Sequence, residues 1–411
     1  MLRAAKRGMS TDTELASLKG TKRTRSPSPE LPGEPLVRTV SGYAPPPGKR
    51  GTWTAPSPDT LPECLEKLEL PNGLRTVYSE FIFKTHYARL VTLADGTERR
   101  EQWDEAVKRT IHALTDHPAI PDVLKVSLAR ALAGLSVLPS MRVLMTAGRA
   151  LARENMCAFN CTYLPIDSIA AFSEVMYLLA CGTGVGFSCE KSVIAALPEV
   201  PSALEPTGLP LVVEDSAQGW ALGFREYLTQ LWSGRVPTVD YSKIRPAGAR
   251  LRIMGGRASG PAPFQEVIEF SLATLTNARG RKLSGLEVHE LVCKTARAIV
   301  SGGVRRSSLI SLSDLDDKGV AVCKSTADWY DHKPHLACSN NSAVFEGRGT
   351  EEEFFANWQL LVDSKSGERG LFNRAAARNR AQRHGRRKHE GIAFGTNPCG
   401  EVRGAEFSEM S

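Results

Sequence analysis

The sequence predicts an α/β fold, with strands and helices taking turns along the chain. Three observations lead there. Beyond Pro139, short apolar runs (MRVLMTAG, GVGFSC, LPLVVED and later SSLISLSD) are separated by helix-like stretches such as SIAAFSEVMYLLACG, SAQGWALGFREYLTQLWS and LEVHELVCKTARAIVSGG. That alternation builds a sheet or a barrel covered by helices. Hydrophobic residues make up 42% of the 411, enough for one large domain or two to three ordinary ones. No apolar run is long enough to cross a bilayer as a helix, and no membrane partner is expected.

Residues 1–70 read as a disordered, basic, Pro/Ser-rich tail, since SPSPELPGEP and SGYAPPPGKRGTW show no periodicity. KRTRSPSP within it reads as an import or phosphorylation segment or, more plainly, as a solvated tail. Residues 71–138 read as a helical region. Order begins at LPNGLRTVYSEFIFKTHYARL, and QWDEAVKRTIHALTDH and PDVLKVSLARALAGLSVL each place apolar residues at i, i+3 and i+4. Residues 139–411 form the α/β part, in which TEEEFFANWQLLVDSKSG is a helix opened by Thr and acidic residues. No internal repeat is present.

The net charge of +7 is concentrated in the first 50 residues and in NRAAARNRAQRHGRRKHE. Such runs are solvated surface or a binding site for nucleotides or nucleic acid. Nine cysteines, an odd number at scattered spacings, do not suit a secreted disulfide scaffold. MLRAAKRGMSTDTE has no apolar stretch for a secretory signal. A cytoplasmic protein with reduced or catalytic thiols is expected.

Several stretches carry chemistry-bearing residues. Cys157 and Cys161 stand in a CxxxC pair, with Cys181 and Cys189 following, but the spacing lacks the ligand set of a zinc site, and inert buried thiols are the usual outcome. No metal is expected. CGTGVGFS lacks the Lys of a phosphate-cradling loop and follows a helix-like run; it reads as a tight turn feeding a strand or as a ligand loop. In RIMGGRASGPAPF the residues Gly255, Gly256, Arg257, Ala258, Ser259 and Gly260 make either a movable contact to an anionic or planar ligand or an ordinary surface loop. SGGVRRSS is a helix stop followed by two Arg, either a phosphate contact or a solvated turn.

GTNPCGEV is the most specific. Glu401, two residues from Cys399, would raise the thiol's pKa, which is wrong for a papain-type nucleophile that needs a cationic partner. It suits a thiol that stays protonated and gives up a hydrogen atom, with Glu401 acting as base on the substrate and Asn397 positioning it. Pro398 fixes φ and Gly400 permits close approach.

Taken in order, SEFIFKTHYAR, PSMRVLMTAG, FNCTYLPI, GVGFS, IRPAGARLRIMGGRASGP, SGGVRRSSLISLSD, KPHLACSNNSAVF, SGERGLFNR and GTNPCGE resemble the ribonucleotide reductases, closest to the adenosylcobalamin-dependent class in its triphosphate-using branch. The resemblance implies a ten-stranded α/β barrel with the radical cysteine on a finger loop inside it. It implies reduction of ribonucleoside triphosphates by a thiyl radical started from adenosylcobalamin, with the cofactor supplying the hard step and the protein the position. Cys399 would be the radical thiol, Glu401 the base at the 3′ hydroxyl, Asn397 a substrate hydrogen-bonder and Cys161 one of the two reducing cysteines. Ser140 would line the substrate site, and Gly255–Gly260 would link a deoxynucleotide effector to substrate choice. A thioredoxin-type reductant would be the electron donor.

This sequence departs from the family's pattern in places. The second redox cysteine falls at Met410, no Cys follows Cys399, VRGAEFSEMS lacks an apolar strand pattern, and Val200–Glu214 is short beside members that carry an insertion there. The expectation is an incomplete barrel, inactive alone unless a second polypeptide completes it. The alternative is a catalytically incompetent nucleotide-binding fragment with a regulatory or interaction role. A third reading is a nucleic-acid binder acting through the basic tail.

Overall fold

The structure, a computed structural model, describes residues 60–93, 95–250, 257–300, 308–365, 367–383, 394–400 and 402–404. Most of the expected tail, Gly255 and Gly256, most of SGGVRRSS and Glu401 lie outside the described residues. Helical order reaches further up the chain than the boundary near residue 70: a single turn, Glu63–Glu66, buries Leu65 completely. One buried leucine is too little to make a periodic signal.

The expected helices Trp103–Thr115 and Asp122–Ala133 are present. Gln102 and Glu105 close a capping box on the first, satisfying amide groups that a helix start leaves unpaired. The Trp103 indole donates to the Ala133 carbonyl at 3.2 Å, joining the two helices. Phe83, Val107, Ile111, Leu132 and Leu144 fill the space around it. Between the helical pieces sits a hairpin, β1 (Leu90–Thr92) with β2 (Glu98–Arg100), turned at Asp95-Gly96 with Gly96 at φ +80°. Asp-Gly is a hairpin signal. Within a region read as helical it was the one local sign of a strand pair.

MRVLMTAG is not one of the strands its apolar texture suggested. Met141–Thr146 is a helix, with the Ser140 hydroxyl accepting from the Arg142 amide at 3.2 Å as its cap. Arg109 holds this helix in place. Its guanidinium donates to the Leu144 and Ala147 carbonyls and pairs with the buried Glu101 at 2.7 Å.

The sheet follows. Strands β3 (Cys161–Pro165) and β4 (Gly184–Ser188) pair in parallel. A separate parallel pair, β5 (Glu205–Val212) and β6 (Arg235–Asp240), stands apart from them. The sheet continues with β7 (Leu309–Ser313), β8 (Ser339–Phe345) and β9 (Gly370–Asn373), all parallel and neighbouring in chain order. A run of parallel strands in chain order, each joined by the usual right-handed crossover, puts the connecting helices on one face. That is the winding of a barrel wall, and among the described residues the barrel is not closed. Val185, Phe187 and Leu309 point to the helices and join Phe172, Val175, Leu291 and Val292 in the main core. Side chains alternate across a strand. The opposite face therefore carries Cys161 and Tyr163 on β3, Gly184 and Gly186 on β4, and Leu312 and Val344 further along, where Tyr163, Leu312, Val344 and Phe372 form a small cluster of their own.

On that second face lies the last described piece, a hairpin of β10 (Phe394–Thr396) and β11 (Val402–Gly404). It forms by backbone pairing, Thr396 with Val402 and Phe394 with Gly404, which no apolar side-chain pattern needed to announce. Its seat explains the glycines. A Cβ on Gly186 would fall 1.9 Å from the Thr396 carbonyl oxygen, and one on Gly395 would fall 2.0 Å from the Tyr163 ring. CGTGVGFS is thus a turn feeding a strand, with Gly182 at φ +79°, and its later glycines are the bed on which the hairpin rests.

Gly186→Ala is expected to lift the hairpin and cost about 1–3 kcal/mol by overpacking, whereas Gly347→Ala, with open space around it, should stay within about 0.5 kcal/mol. Urea unfolding midpoints check both, and equal midpoints would refute the close seat. Two core histidines give a pH dependence. Burial, then nearby positive charge, pushes His289 down to about 3 and His335 down to about 4. Both bind protons more readily when unfolded, so stability is complete above about pH 6.5 and falls with acid towards those values, by ~1.4 kcal/mol per pH unit for each titrating group. Urea titrations between pH 7 and 4.5 should show this slope, and His335→Phe should reduce it.

Candidate active site

The described tip of the β10–β11 hairpin is the segment 397–400. The Gly400 amide donates to the Asn397 carbonyl at 2.9 Å, closing a four-residue turn with Pro398 in its second position and Gly400, at φ +86°, in its fourth. Pro is suited to the second place of such a turn and Gly to the fourth. Cys399 takes the third place and is exposed. Asn397 is fully buried at the foot of the turn.

Across from this tip stands Cys161, the first residue of β3 and only 2% exposed. Its Sγ lies 3.2 Å from the Cys399 Sγ. Two residues 238 positions apart are therefore in sulfur–sulfur contact. Gly184, paired with Cys161 in the sheet register, clears the space: a Cβ there would sit 3.3 Å from the Cys161 sulfur, 3.4 Å from Pro398 and 2.9 Å from the Ser308 hydroxyl. Ser308 is exposed at the entry to β7, and its carbonyl accepts from the Val185 amide. It closes the SGGVRRSS stretch, and the register of β7 against β4 brings it here.

Ser140 also reaches this neighbourhood. Its hydroxyl, besides capping its helix, accepts from the Asn160 amide group at 3.4 Å, and Asn160 directly precedes Cys161. The helix itself is tied to the turn before β4 by a hydrogen bond from Arg142 to the Gly182 carbonyl. Arg257, Ala258, Ser259 and Gly260 belong to a different arm. The Gly248 amide donates to the Ala258 carbonyl, the Ala258 amide donates to the Ala249 carbonyl, and the Arg257 guanidinium donates to the Gly248 carbonyl. Gly260 adopts φ +77° against Ala247.

The hairpin's anchor belongs to the basic run NRAAARNRAQRHGRRKHE, expected as solvated surface or as a binding site for nucleotides or nucleic acid. Arg374, 7% exposed, sends Nε to the Phe394 carbonyl at 2.7 Å and Nη1 to Glu190 at 2.9 Å, and also pairs with Glu346. Glu190, 4% exposed, accepts from the Ser188 hydroxyl at 2.6 Å. Burial pushes the neighbouring Tyr163 phenol up, so it stays protonated beside this group. Further along that run Arg378 is half-buried, and Arg380 and Arg383 are exposed.

The cysteines raised as a metal set do not gather. Cys157 hydrogen-bonds Cys181, and that bond together with burial pushes the Cys181 thiol up. Cys189 bonds instead to Ser311 and the Leu312 carbonyl. Among the described residues no cluster of His, Cys, Asp and Glu is arranged to hold a metal ion, and no helix is long and apolar enough to cross a membrane. The arrangement offers one exposed thiol, one sheltered thiol in contact with it and one buried amide, on an open sheet face.

Comparison with known proteins finds no matching family model. It does find sequence relatives. The adenosylcobalamin-dependent ribonucleoside-triphosphate reductase of Lacticaseibacillus paracasei is 27% identical over 395 residues, covering 78% of this chain and 52% of that protein. The reductases of the same name from Lactobacillus gasseri and Lactobacillus leichmannii match at 26% and 27% with the same coverage. The chain thus spans about half the length of the curated relatives it matches. Among solved structures, a B12-dependent (class II) ribonucleotide reductase superimposes with a TM-score of 0.64 at 23% identity, over 78% of this chain and 52% of its own. Over 78% of its residues the chain is similar in sequence to adenosylcobalamin-dependent ribonucleoside-triphosphate reductases, and its fold is like that of a class II ribonucleotide reductase.

Proposed function

We propose that this chain carries the thiol and substrate-holding part of an adenosylcobalamin-dependent reduction of ribonucleoside triphosphates to 2′-deoxyribonucleotides. The observation that carries the reading is the contact at 3.2 Å between Cys161 and Cys399, brought together from distant parts of the chain beside the buried Asn397. Ribonucleotide reduction needs one thiol to open the reaction and others to deliver two electrons. This face holds an exposed thiol next to a sheltered one.

The exposure of Cys399 at a hairpin tip suits access by a bulky cofactor. Adenosylcobalamin, when bound, would supply the one-electron chemistry that takes the hydrogen atom from the Cys399 thiol. The chain's own residues then do the following. Cys399 removes the 3′ hydrogen of the ribose. Asn397 holds the sugar through its amide, and Glu401, which lies outside the described residues, takes the 3′ hydroxyl proton. Cys161 works with a second thiol, which the polypeptide completing the barrel would contribute: the pair delivers two electrons and a hydrogen to the 2′ carbon as water leaves, and a thioredoxin-type dithiol reduces the disulfide that results. Ser140 borders the substrate. The arm that ends in Arg257–Gly260 reports a deoxynucleotide effector to it. A second polypeptide completing the barrel would supply the remaining wall.

Ribonucleoside triphosphate binding, measured by calorimetry, should be saturable. Asn397→Ala should weaken it about tenfold, or ~1.4 kcal/mol, and Cys399→Ser should leave it unchanged. No saturable binding would sink the reading. Deoxynucleotide formation, assayed with adenosylcobalamin and a dithiol, should be absent in Cys399→Ser under any condition that supports it in the unaltered chain. Activity surviving in that variant would remove Cys399 from its role. Nucleotide-dependent thermal stabilisation without turnover under any condition would favour the regulatory-fragment reading.

A further inference from the structure

We infer that Cys161 and Cys399 form a reversible disulfide with each other, so that the thiol pair is an oxidation-sensitive lock on this site. Their sulfurs stand 3.2 Å apart, against about 2.05 Å in a disulfide. The movement needed is small and falls on the more yielding partner. Cys161 is fixed in β3 by the ladder to β4. Cys399 sits in a turn closed by the backbone bond from Gly400 to Asn397, while the stem below is held by strand pairing and by Arg374 at the Phe394 carbonyl. The stem keeps the tip over Cys161, and the turn can close the remaining distance. Gly184 leaves the space beside the Cys161 sulfur and Pro398 clear.

Access distinguishes this pair from its neighbour. Cys157 and Cys181 also touch, but they are 3% and 2% exposed, which shields both from a reagent in solution. Cys399 is the exposed member of its pair and offers the entry point. The oxidant is a low-molecular-weight disulfide. The Cys399 thiolate attacks one of its sulfurs, forming a mixed disulfide and expelling one thiolate. The Cys161 thiolate then attacks the Cys399 sulfur, forming the internal bond and expelling the second. The chain loses two electrons, the small disulfide is reduced to two thiols, and the two cysteine protons end on solvent or on those thiols. A dithiol reverses the sequence. For the reaction proposed above, and resting on that reading, the bond would remove the hydrogen-atom donor and a reducing thiol together.

The test uses the purified full chain, without nucleotide or cobalamin, equilibrated with mixtures of reduced and oxidised glutathione. After an acid quench, free thiols are alkylated in denaturant and peptides are mapped by mass spectrometry. The expected product is one cross-linked peptide joining Cys161 to Cys399, with two of the nine thiols protected, and full reversal by dithiothreitol. Cys161→Ser should instead trap Cys399 as a mixed disulfide with glutathione. Cys399→Ser should leave Cys161 unmodified, with circular dichroism unchanged in both variants. Nine alkylated thiols, a stable mixed disulfide at Cys399 in the unaltered chain, or a cross-link to another cysteine would each overturn the proposal. A cross-link without nucleotide binding would sink the reductase reading and leave the lock standing; binding without the cross-link would do the reverse.

Discussion

Everything in this site depends on how closely two pieces of backbone approach. The Thr396 carbonyl lies so near β4 that a single methyl on Gly186 would overlap it at 1.9 Å. Without that approach the hairpin would ride higher, and Cys399 would leave Cys161. The two faces of β4 are built for different neighbours. Val185 and Phe187 feed the helix-covered core, while Gly184 and Gly186 keep the other face bare. A strand interior loses stability by carrying glycine. Here the hairpin takes the place of the missing side chains.

A bare face alone would hold nothing, and polar groups fix the hairpin's height. Arg374 spans from Glu190, just past the end of β4, to the Phe394 carbonyl at the start of β10. Burying such a pair is costly unless its remaining hydrogen-bonding positions are filled. Ser188 and Glu346 fill part of that need. Much of the pair's value therefore lies in placement: removing either member would strand a buried charge beneath the hairpin.

Much of the fold was legible because it rests on local pattern. The helices Trp103–Thr115, Ala217–Trp232 and Glu351–Ser364 follow their apolar spacing, and Thr350 caps the last as its sequence suggests. What was illegible is non-local. GVGFS reads equally as a turn or a ligand loop, because its glycines answer to a strand some two hundred residues later. Arg374 reads as part of a solvated or ligand-binding basic run because its partner Glu190 lies 184 positions away. MRVLMTAG misled for a different reason, since six residues are too few to show a helical period and the Ser140 cap decides the matter. Cys399 and Asn397 stood out from their immediate neighbours. Cys161 entered through likeness to a family, and only the fold gave it a distance.

The sheet's strand order has a consequence for how the molecule is assembled. Each of β3, β4, β7, β8 and β9 adds beside its predecessor in the sheet, so the wall can grow step by step, with its longest step the pairing of Val185 on β4 with Leu309 on β7. The thiol contact is different in kind, closing across 238 positions. Contacts of that range come late, because the chain between them must be ordered first. The nearness of the two sulfurs is then a certificate of completed folding: a chain arrested with its wall half laid would carry every residue of the site and no site.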